Sequence, residues 1–368
     1  MDWTRLPLAR AAVDRAAHRR GPEAIAAAWQ HPGTRVLLLA GGLLATRTDD
    51  DGVRLDLRAP EGLPGLGPVA ATADAAAPEP PAPGTTAPGT RAAPDALILF
   101  LGESPDGAAF LALAVDDVVV LEAAVLAAAG PVLAGVDPTA LDPAWGDPTG
   151  ATGPQWSSLR DVGHRLTDRD AGLAATAVGL AAWHERHPRC ARCGAATVPA
   201  QAGWTRVCTV DGSDHYPRTD PAVIMAVLDD DDRLLLGHAA HWPERRFSTL
   251  AGYVEPGESV ESAVRREVAE EVGVGVGDVV YRGSQPWPFP ASLMLAFVAR
   301  ATSTPITVDG VEVTEARWFT RAELASDVAS GEVLLPMRTS VARALIEEWF
   351  GGPLGSAPVA PVAPVPTA

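Results

Sequence analysis

The chain has 368 residues, a formal net charge of −17 at pH 7 and an isoelectric point near 4.8. Because a single hydrophobic core rarely exceeds about 250–300 residues, this length predicts more than one domain. The acidic charge argues against a general nucleic-acid or anionic-membrane surface, since such binding depends on positive charge. Asp2 and Arg5 interrupt any secretory signal, and no apolar run approaches about 18 residues, so the sequence predicts a cytoplasmic protein without a membrane span.

Residues 1–175 are predicted to form a small α/β domain. A turn is predicted at Gly41 and Gly42, and strand patterns occur at residues 36–40, 53–57, 96–101 and 109–115. Residues 60–94 are mostly Ala, Pro, Gly and Thr, a composition that predicts a flexible insertion. Residues 118–129 fit either a strand or a helix, and helices are predicted at residues 156–164 and 168–187.

The three cysteines lie in two related motifs, at residues 190–194 and 208–212, each with the pattern C-x-x-[C or D]-G. A tight turn that ends in Gly lets both side chains of a motif converge on one ion, which predicts a helix and zinc ribbon within residues 176–217. The predicted zinc ligands are Cys190, Cys193, Cys208 and Asp211, with Asp214 and His215 as alternatives for the fourth. Such a closed site would be structural, and the competing interpretation is three reduced thiols without a metal.

Residues 218–350 are predicted to form a second α/β domain. Its last helix is predicted at residues 339–350, and its strands at residues 222–228, 234–236, 279–282, 293–300 and 313–319. Residues 351–368, rich in Pro, Ala and Val, are predicted to be a disordered tail.

A helix of about four turns is predicted between the Pro256-Gly257 turn and Gly273. At about 100° per residue, one face of this helix contains Val260 and Ala263 together with the carboxylates of Glu267, Glu270 and Glu271. A solvated acidic face is the ordinary interpretation of such a cluster. Here the carboxylates share the side that the core needs, where unpaired charge is costly, so we predict a divalent cation with oxygen ligands.

The stretch from Gly252 to Val274, here called the box, reads G-x5-E-x7-R-E-U-x-E-E-x-G-U, where U is aliphatic. This spacing resembles the signature of Nudix hydrolases at every fixed position. The resemblance implies an α/β/α sandwich with a mixed sheet. It also implies attack of water on a diphosphate linked to another group, with Mg²⁺ or Mn²⁺ as cofactor.

Residues 284–294 read S-Q-P-W-P-F-P-A-S-L-M. Three prolines at alternate positions stiffen this segment and present Trp287 and Phe289 with little entropy left to lose, which suits recognition of a planar ring. A proline-rich surface loop is the alternative interpretation. The segment resembles the signature of the NADH pyrophosphatase branch of the Nudix hydrolases, which is also associated with NAD-capped RNA. That branch has an N-terminal domain, a zinc ribbon and a Y-P-x-x-x-P segment, matched here by residues 216–221.

The resemblance spans roughly residues 150–350 and implies roles for individual positions. Catalytic metals would be held by the carbonyl of Ala251 and by Glu267, Glu270, Glu271 and Glu312, with Glu270 as a further ligand or a base. The implied substrate-binding residues are Tyr216, Tyr253, Gln285, Pro286, Trp287, Pro288, Phe289, Pro290, Ala291, Ser292 and Ala342. Tyr253 would stack on the nicotinamide or base, and a core tyrosine is the alternative. Asp211 in the ribbon and the insertion at residues 60–94 depart from the family pattern.

The implied reaction is hydrolysis of the pyrophosphate of NADH to NMNH and AMP, or of an NAD-capped RNA to NMN and a 5′-monophosphate RNA, by a homodimer. The acidic surface weakly favours the free dinucleotide. A broader hydrolase of ADP-ribose or other dinucleotides is the alternative enzyme. A nucleotide sensor without turnover is disfavoured, because the glutamates of the box are intact.

Overall fold

The computed structural model describes residues 2–50, 52–63, 96–116, 118 and 154–355. The chain divides into two compact units, which are described separately. The N-terminal unit contains Ala11–Arg218 with Pro288–Pro290, and the C-terminal unit contains Met1–Arg10, Thr219–Trp287 and Ala291–Ala368. The predictions for residues 64–94, 119–129 and 356–368 lie outside the described residues.

A mixed sheet of seven strands forms the core of the N-terminal unit, in the order β3-β2-β1-β6-β5, with β4 paired to β1 and β7 paired to β2. Its strands are β1 (Arg35–Ala40), β2 (Leu43–Asp49), β3 (Gly52–Leu55), β4 (Leu57–Arg58), β5 (Leu97–Glu103), β6 (Ala109–Val115) and β7 (Gln155–Ser157). The helices of this unit are α1 (Ala24–Gln30), α2 (Leu159–Val162) and α3 (Asp168–Arg186). The parallel pair β1 and β6 is buried along nearly its whole length, which confirms the predicted α/β class.

The helix predicted at residues 156–164 is largely wrong. Residues Gln155–Ser157 form β7, and only Leu159–Val162 is helical. Strand β7 pairs with β2, and the Thr46 hydroxyl donates a hydrogen bond to the Gln155 carbonyl at 3.0 Å. Pairing with a strand more than a hundred positions earlier in the chain therefore overrides the local preference for a helix.

Three short antiparallel strands form the ribbon, β8 (Thr197–Ala200), β9 (Thr205–Cys208) and β10 (Asp214–His215). A buried network joins the ribbon to α3. The Arg206 guanidinium donates to His184 Nδ1 at 2.8 Å and to the Thr197 carbonyl at 2.7 Å, while His184 Nε2 donates to the Gly203 carbonyl at 2.9 Å. Burial lowers the pKa of His184 to about 4, so its ring is neutral and can accept from Arg206.

A six-stranded mixed sheet forms the centre of the C-terminal unit, in the order β14-β15-β11-β12-β16, with β13 paired to β11. Its strands are β11 (Asp220–Leu228), β12 (Leu234–Ala239), β13 (Leu250–Tyr253), β14 (Val276–Trp287), β15 (Ser292–Ala301) and β16 (Val313–Phe319). The helices of this unit are α4 (Val260–Val272), α5 (Arg321–Ser330) and α6 (Val341–Phe350). Strands β11 and β15 run parallel, so the sheet is mixed as predicted.

The two faces of β11 pack against different helices. Val223 and Met225 lie in one core cluster with residues of α4, and Ile224 and Ala226 lie in another with residues of α5 and α6. Alternation along a strand places successive side chains on opposite faces of a sheet. The arrangement is the predicted α/β/α sandwich.

Residues 2–10, here called the N-terminal arm, cluster with the C-terminal unit rather than with the domain predicted to begin at residue 1. Leu6 and Leu8 are fully buried. The Trp3 indole donates to Glu348 at 2.8 Å, and the backbone N–H of Leu8 donates to the Gln285 side-chain oxygen at 3.4 Å. The arm therefore contributes to the core of a unit that is distant in sequence.

Candidate active site

Helix α4 carries the glutamates and has well-defined ends. The Ser259 side chain accepts from the backbone N–H of Ser262 at 3.2 Å, and Gly273 ends the helix with a left-handed φ of 69°. Burial of the helix's apolar face also buries Glu267 and Glu271, which are 9% and 7% exposed. Glu270 differs, because 60% of its side chain is accessible. The predicted core-facing position therefore holds for two of the three carboxylates and not for Glu270.

Glu267 packs directly against the backbone of β13. A Cβ atom at Gly252 would lie 1.9 Å from Glu267 Cδ and 2.0 and 2.2 Å from its two carboxylate oxygens. Gly252 thus provides the space that the Glu267 carboxylate occupies, on the strand that also contains Ala251. Burial raises the pKa of Glu267, and hydrogen bonding to Arg266 opposes this rise.

Glu271 is the most deeply buried carboxylate of the helix. Its Oε2 atom is buried and has no hydrogen-bond partner within the part of the chain that the structure describes. Burial, followed by repulsion from Glu267 and then Glu312, raises the pKa of Glu271 to about 8. Burying a carboxylate oxygen without a hydrogen-bond donor lowers the stability of the fold. The described protein groups around Glu271 therefore do not compensate its charge by themselves.

Arg266 forms ion pairs with three carboxylates, those of Glu258, Glu267 and Glu270. It makes a two-point ion pair with Glu258, with both N–O distances at 2.9 Å, and it contacts Glu267 and Glu270 at 2.9 Å each. It also donates to the Tyr253 carbonyl at 2.9 Å, which ties α4 to the end of β13. The ion pair with Glu258 is the main cause of a raised pKa of Arg266, so the guanidinium stays charged.

The turn before β16 brings in Glu312, which is exposed and whose charge contributes to the raised pKa values of Glu267 and Glu271. The sequence interpretation missed Asp309 in the same turn. Its carboxylate accepts hydrogen bonds from the backbone N–H groups of Val311, Glu312 and Val313. An Asp followed by a Gly before a strand is a turn signal that could have identified it.

These residues supply the kind of donor atoms that a divalent cation binds, although within the described ranges only the cysteines and Asp211 already lie at ligating distance of one another. A single guanidinium cannot neutralise the carboxylates of Glu258, Glu267, Glu270 and Glu271. Hard cations such as Mg²⁺ and Mn²⁺ take oxygen ligands, and the Glu271 oxygen without a protein donor is the ligand type that they require. The residues that would hold the cation are Glu267, Glu270, Glu271 and Glu312, with the Ala251 carbonyl.

The segment at residues 284–294 is a β-hairpin end rather than an open loop. Strand β14 continues to Trp287 and β15 begins at Ser292, with Gln285 opposite Met294 and Trp287 opposite Ser292. The hydroxyls of Ser292 and Tyr253 are 3.2 Å apart, so the hairpin meets the end of β13. Tyr253 is 55% exposed, which disfavours the alternative of a core tyrosine.

Three predicted substrate residues, Gln285, Ser292 and Ala342, are buried within the C-terminal unit. Gln285 has no exposed surface; its amide nitrogen donates to the Thr339 carbonyl at 3.0 Å, and its oxygen accepts from Leu8. Ala342 is also buried, at the start of α6. Pro288, Phe289, Pro290 and Tyr216 cluster with the N-terminal unit, whereas Tyr253, Pro286, Trp287, Ala291 and Ser292 belong to the C-terminal unit.

The cysteine motifs of the N-terminal unit converge. The ligand atoms of Cys190, Cys193, Cys208 and Asp211 all lie within 4.8 Å of one another. Cys193 Sγ and Cys208 Sγ are 3.5 Å apart, and Cys190 Sγ is 3.8 Å from Asp211 Oδ2. Tetrahedral zinc with bonds of about 2.3 Å requires sulfur separations of about 3.8 Å, so the four groups fit zinc.

The ribbon orients Asp211 toward the cysteines. The Ser213 hydroxyl and backbone N–H donate to Asp211 Oδ1 at 2.6 and 2.9 Å, which leaves Oδ2 on the side of Cys190. These donors from Ser213 hold the pKa of Asp211 well below its usual range, so the group is ionised and able to bind a cation. Asp214 and His215, the alternative fourth ligands, are not part of the cluster found among the described residues.

Metal analysis of protein purified without added zinc should find about one zinc per chain. Asp211→Ala should lower this content, and Ser213→Ala should weaken zinc binding by about 10–100-fold, since partners that orient a ligand have effects of that size. Thr209→Ala is the matched control, because its hydroxyl donates to the Ala196 carbonyl in the same ribbon. A stable wild-type protein without zinc would contradict the assignment.

None of the helices in the described ranges combines the length and the apolar character needed to cross a membrane.

Comparison with known proteins agrees with this division of the chain. Residues 218–337 match the model of the NUDIX domain, and residues 185–216 match the NADH pyrophosphatase zinc ribbon domain. The chain is 46% identical over 200 residues to the NAD-capped RNA hydrolase NudC of Mycobacterium bovis (strain BCG / Pasteur 1173P2), an alignment that covers 52% of this chain and 64% of that protein. It is 42% identical over 198 residues to the human NAD-capped RNA hydrolase NUDT12, which covers 50% of this chain and 43% of that protein.

The chain thus spans less than two thirds of the length of either relative. The carboxylate cluster lies in the matched C-terminal region and the cysteine cluster in the matched ribbon. Residues 218–337 are therefore a Nudix domain, preceded at residues 185–216 by an NADH pyrophosphatase zinc ribbon domain.

Proposed function

We propose that the protein hydrolyses the pyrophosphate bond of NAD(H), releasing NMN(H) and AMP, with Mg²⁺ or Mn²⁺ as cofactor. The buried Glu271 oxygen without a protein donor is the observation that carries this proposal, because a divalent cation at the carboxylates of the Nudix domain would compensate its buried charge. The NADH pyrophosphatase zinc ribbon domain supports the choice of a dinucleotide substrate.

The three glutamates of α4 would have different roles. Glu267 and Glu271 are buried and would hold the cation, with Glu312 and the Ala251 carbonyl as further ligands. When bound, the divalent cation neutralises pyrophosphate charge and lowers the pKa of an attacking water. Glu270 is exposed and fixed by Arg266 at 2.9 Å, so it is available either as a further ligand or as the base that accepts the proton of the water.

Tyr253 and the hairpin residues of the C-terminal unit, at 284–287 and 291–292, would bind the dinucleotide. The exposed ring of Tyr253 offers an apolar surface for the nicotinamide or base, and its hydroxyl is 3.2 Å from that of Ser292. Trp287 lies opposite Ser292 in the same hairpin. Gln285 would act indirectly, through the hydrogen bond that its side-chain amide donates to the Thr339 carbonyl. This bond joins the hairpin to the segment that leads to Ala342.

Ser292→Ala should lower kcat/KM for NADH more than for ADP-ribose. Loss of a hydroxyl that pairs with Tyr253 and with substrate should cost about 1–2 kcal/mol in the transition state, or roughly tenfold in rate. Tyr253→Phe, which keeps the ring, should have a smaller effect. Initial rates on both substrates with one preparation provide the measurement.

The matched control for this test is Ser303→Ala, since the Ser303 hydroxyl accepts from the Gly275 backbone just beyond β15. Equal losses on NADH and ADP-ribose would count against the hairpin as the specificity element. They would favour a broader hydrolase of dinucleotides.

We also propose NAD-capped RNA as a substrate, supported by the names of the two relatives. The net charge of −17 favours the free dinucleotide over a long RNA. Initial rates on NADH, NAD⁺ and a short NAD-capped RNA would rank the three. A homodimer and a cytoplasmic location stay predictions, and sedimentation of the full chain tests the first.

A further inference from the structure

Asp309 organises the turn that carries Glu312. Its Oδ1 atom accepts from the backbone N–H of Val311 at 3.3 Å and of Val313 at 2.9 Å, and its Oδ2 atom accepts from the backbone N–H of Glu312 at 3.0 Å. The Gly310 backbone N–H donates to the Val313 carbonyl at 3.1 Å. Residues 309–313 therefore form a closed turn around one carboxylate.

This turn is tied to the end of α4. The backbone N–H of Asp309 donates to the Glu271 carbonyl at 3.1 Å, and that of Thr307 donates to the Val272 carbonyl at 2.9 Å. On the other side, the Ala240 backbone N–H donates to the Glu312 carbonyl at 3.0 Å. The backbone of Glu312 is thus fixed relative to the helix that carries Glu267 and Glu271.

Glu312 itself depends on this backbone for its position. Its side chain is exposed, and a long exposed side chain is ordered poorly unless its backbone is held. The neighbouring Val311 is 75% exposed, so apolar packing does not fix the tip of the turn. The three hydrogen bonds to the Asp309 carboxylate, together with the backbone bonds of Gly310 and Ala240, therefore hold this part of the chain.

We propose that Asp309 is a positioning residue that holds Glu312 at the divalent-cation site of Glu267 and Glu271 and does not bind the cation itself. Both of its carboxylate oxygens already accept from backbone N–H groups. These bonds, with those from Glu312 and Val313 the largest, also hold the pKa of Asp309 below its usual range. The proposal rests on the proposed function only in assigning a divalent cation to Glu312.

Mn²⁺ binding to the full-length protein without substrate tests this role by titration calorimetry. Asp309→Ala should weaken Mn²⁺ binding by about 10–100-fold, the range expected for a group that orients a ligand. Asp309→Asn should weaken it less, because the amide keeps an oxygen that can accept from the backbone. The control is Glu323→Ala, which removes a carboxylate that accepts from the Thr320 backbone N–H at 2.8 Å, on a helix that packs against the other face of the sheet.

An unchanged Mn²⁺ affinity in Asp309→Ala would overturn the proposal. Equal weakening in the Ala and Asn variants would also overturn it, since loss of negative charge alone would then explain the result. In support, the Mn²⁺ concentration that gives half-maximal hydrolysis should rise in Asp309→Ala, and saturating Mn²⁺ should largely restore the rate. Because calorimetry uses no nucleotide, failure of the NADH hydrolase proposal would leave this measurement valid.

Discussion

Glu271→Gln should lower the rate of NADH hydrolysis by more than about 100-fold while the protein stays folded. Changes to groups that merely orient a metal ligand cost about 10–100-fold, so loss of a buried ligand should cost more. Gln has nearly the same shape as Glu, so the packing of α4 should survive. Steady-state rates at saturating Mn²⁺, together with circular dichroism, provide the measurement.

The same substitution should stabilise the metal-free protein above neutral pH. The pKa of Glu271 is about 8 in the folded chain, against an ordinary value of 4.5. A carboxyl with a raised pKa costs stability when its charge must be buried, so the wild type should lose stability as the pH rises from about 4.5 to about 8. The Glu271→Gln variant has no carboxyl at this position and should not lose stability in this way. At pH 8 its free energy of unfolding should therefore exceed that of the wild type by an amount on the order of a few kcal/mol.

Chemical denaturation in the presence of EDTA, at pH 5 and at pH 8, measures this difference. Mg²⁺ or Mn²⁺ should then stabilise the wild type more than the variant, because a ligand that binds only the folded state raises its stability. Wild-type turnover in Glu271→Gln would remove this residue from the mechanism. A constant stability difference between the two pH values would contradict the account of its burial.

Gly252→Ala should lower kcat/KM for NADH by about 100-fold with little loss of fold stability. The added methyl would lie 1.9 Å from Glu267 Cδ, so the carboxylate must move. The end of a glutamate side chain moves at low cost to the fold, but a shift of about 1 Å at a reacting group can cost about 100-fold. Initial rates and thermal unfolding distinguish the two effects.

Gly352→Ala is the matched control, because a Cβ atom there would meet nothing within 4 Å and the backbone needs no left-handed conformation. It should leave both the rate and the melting temperature unchanged. Wild-type rates in Gly252→Ala would show that the position of Glu267 is not critical.

Local spacing predicted the box well. Ser259 and Gly273 are strong end signals, and the 3.6-residue period placed Glu267 and Glu271 on the buried face. The helical period alone did not separate Glu270 from them, although 60% of its side chain is accessible. The cysteine motifs were equally informative, since a short motif specifies its own turn.

Contacts between distant parts of the chain could not be predicted from local pattern. Gln285 was expected to face substrate, yet its amide pairs with Leu8 and the residue 339 carbonyl. Hydrogen bonding across such sequence distances leaves no periodic signal. Helix α5 did carry a local signal, the Thr320 and Glu323 capping box, which the sequence interpretation overlooked.

Product identification with NADH tests the central claim most directly. The full-length protein is incubated with NADH and Mn²⁺, and the products are separated and identified by mass spectrometry, with Glu271→Gln as the control. We predict NMNH and AMP in equal amounts, a kcat/KM for NADH above that for ADP-ribose, and almost no product from the variant. Cleavage to nicotinamide and ADP-ribose, turnover independent of a divalent cation, or a preference for ADP-ribose would contradict the account.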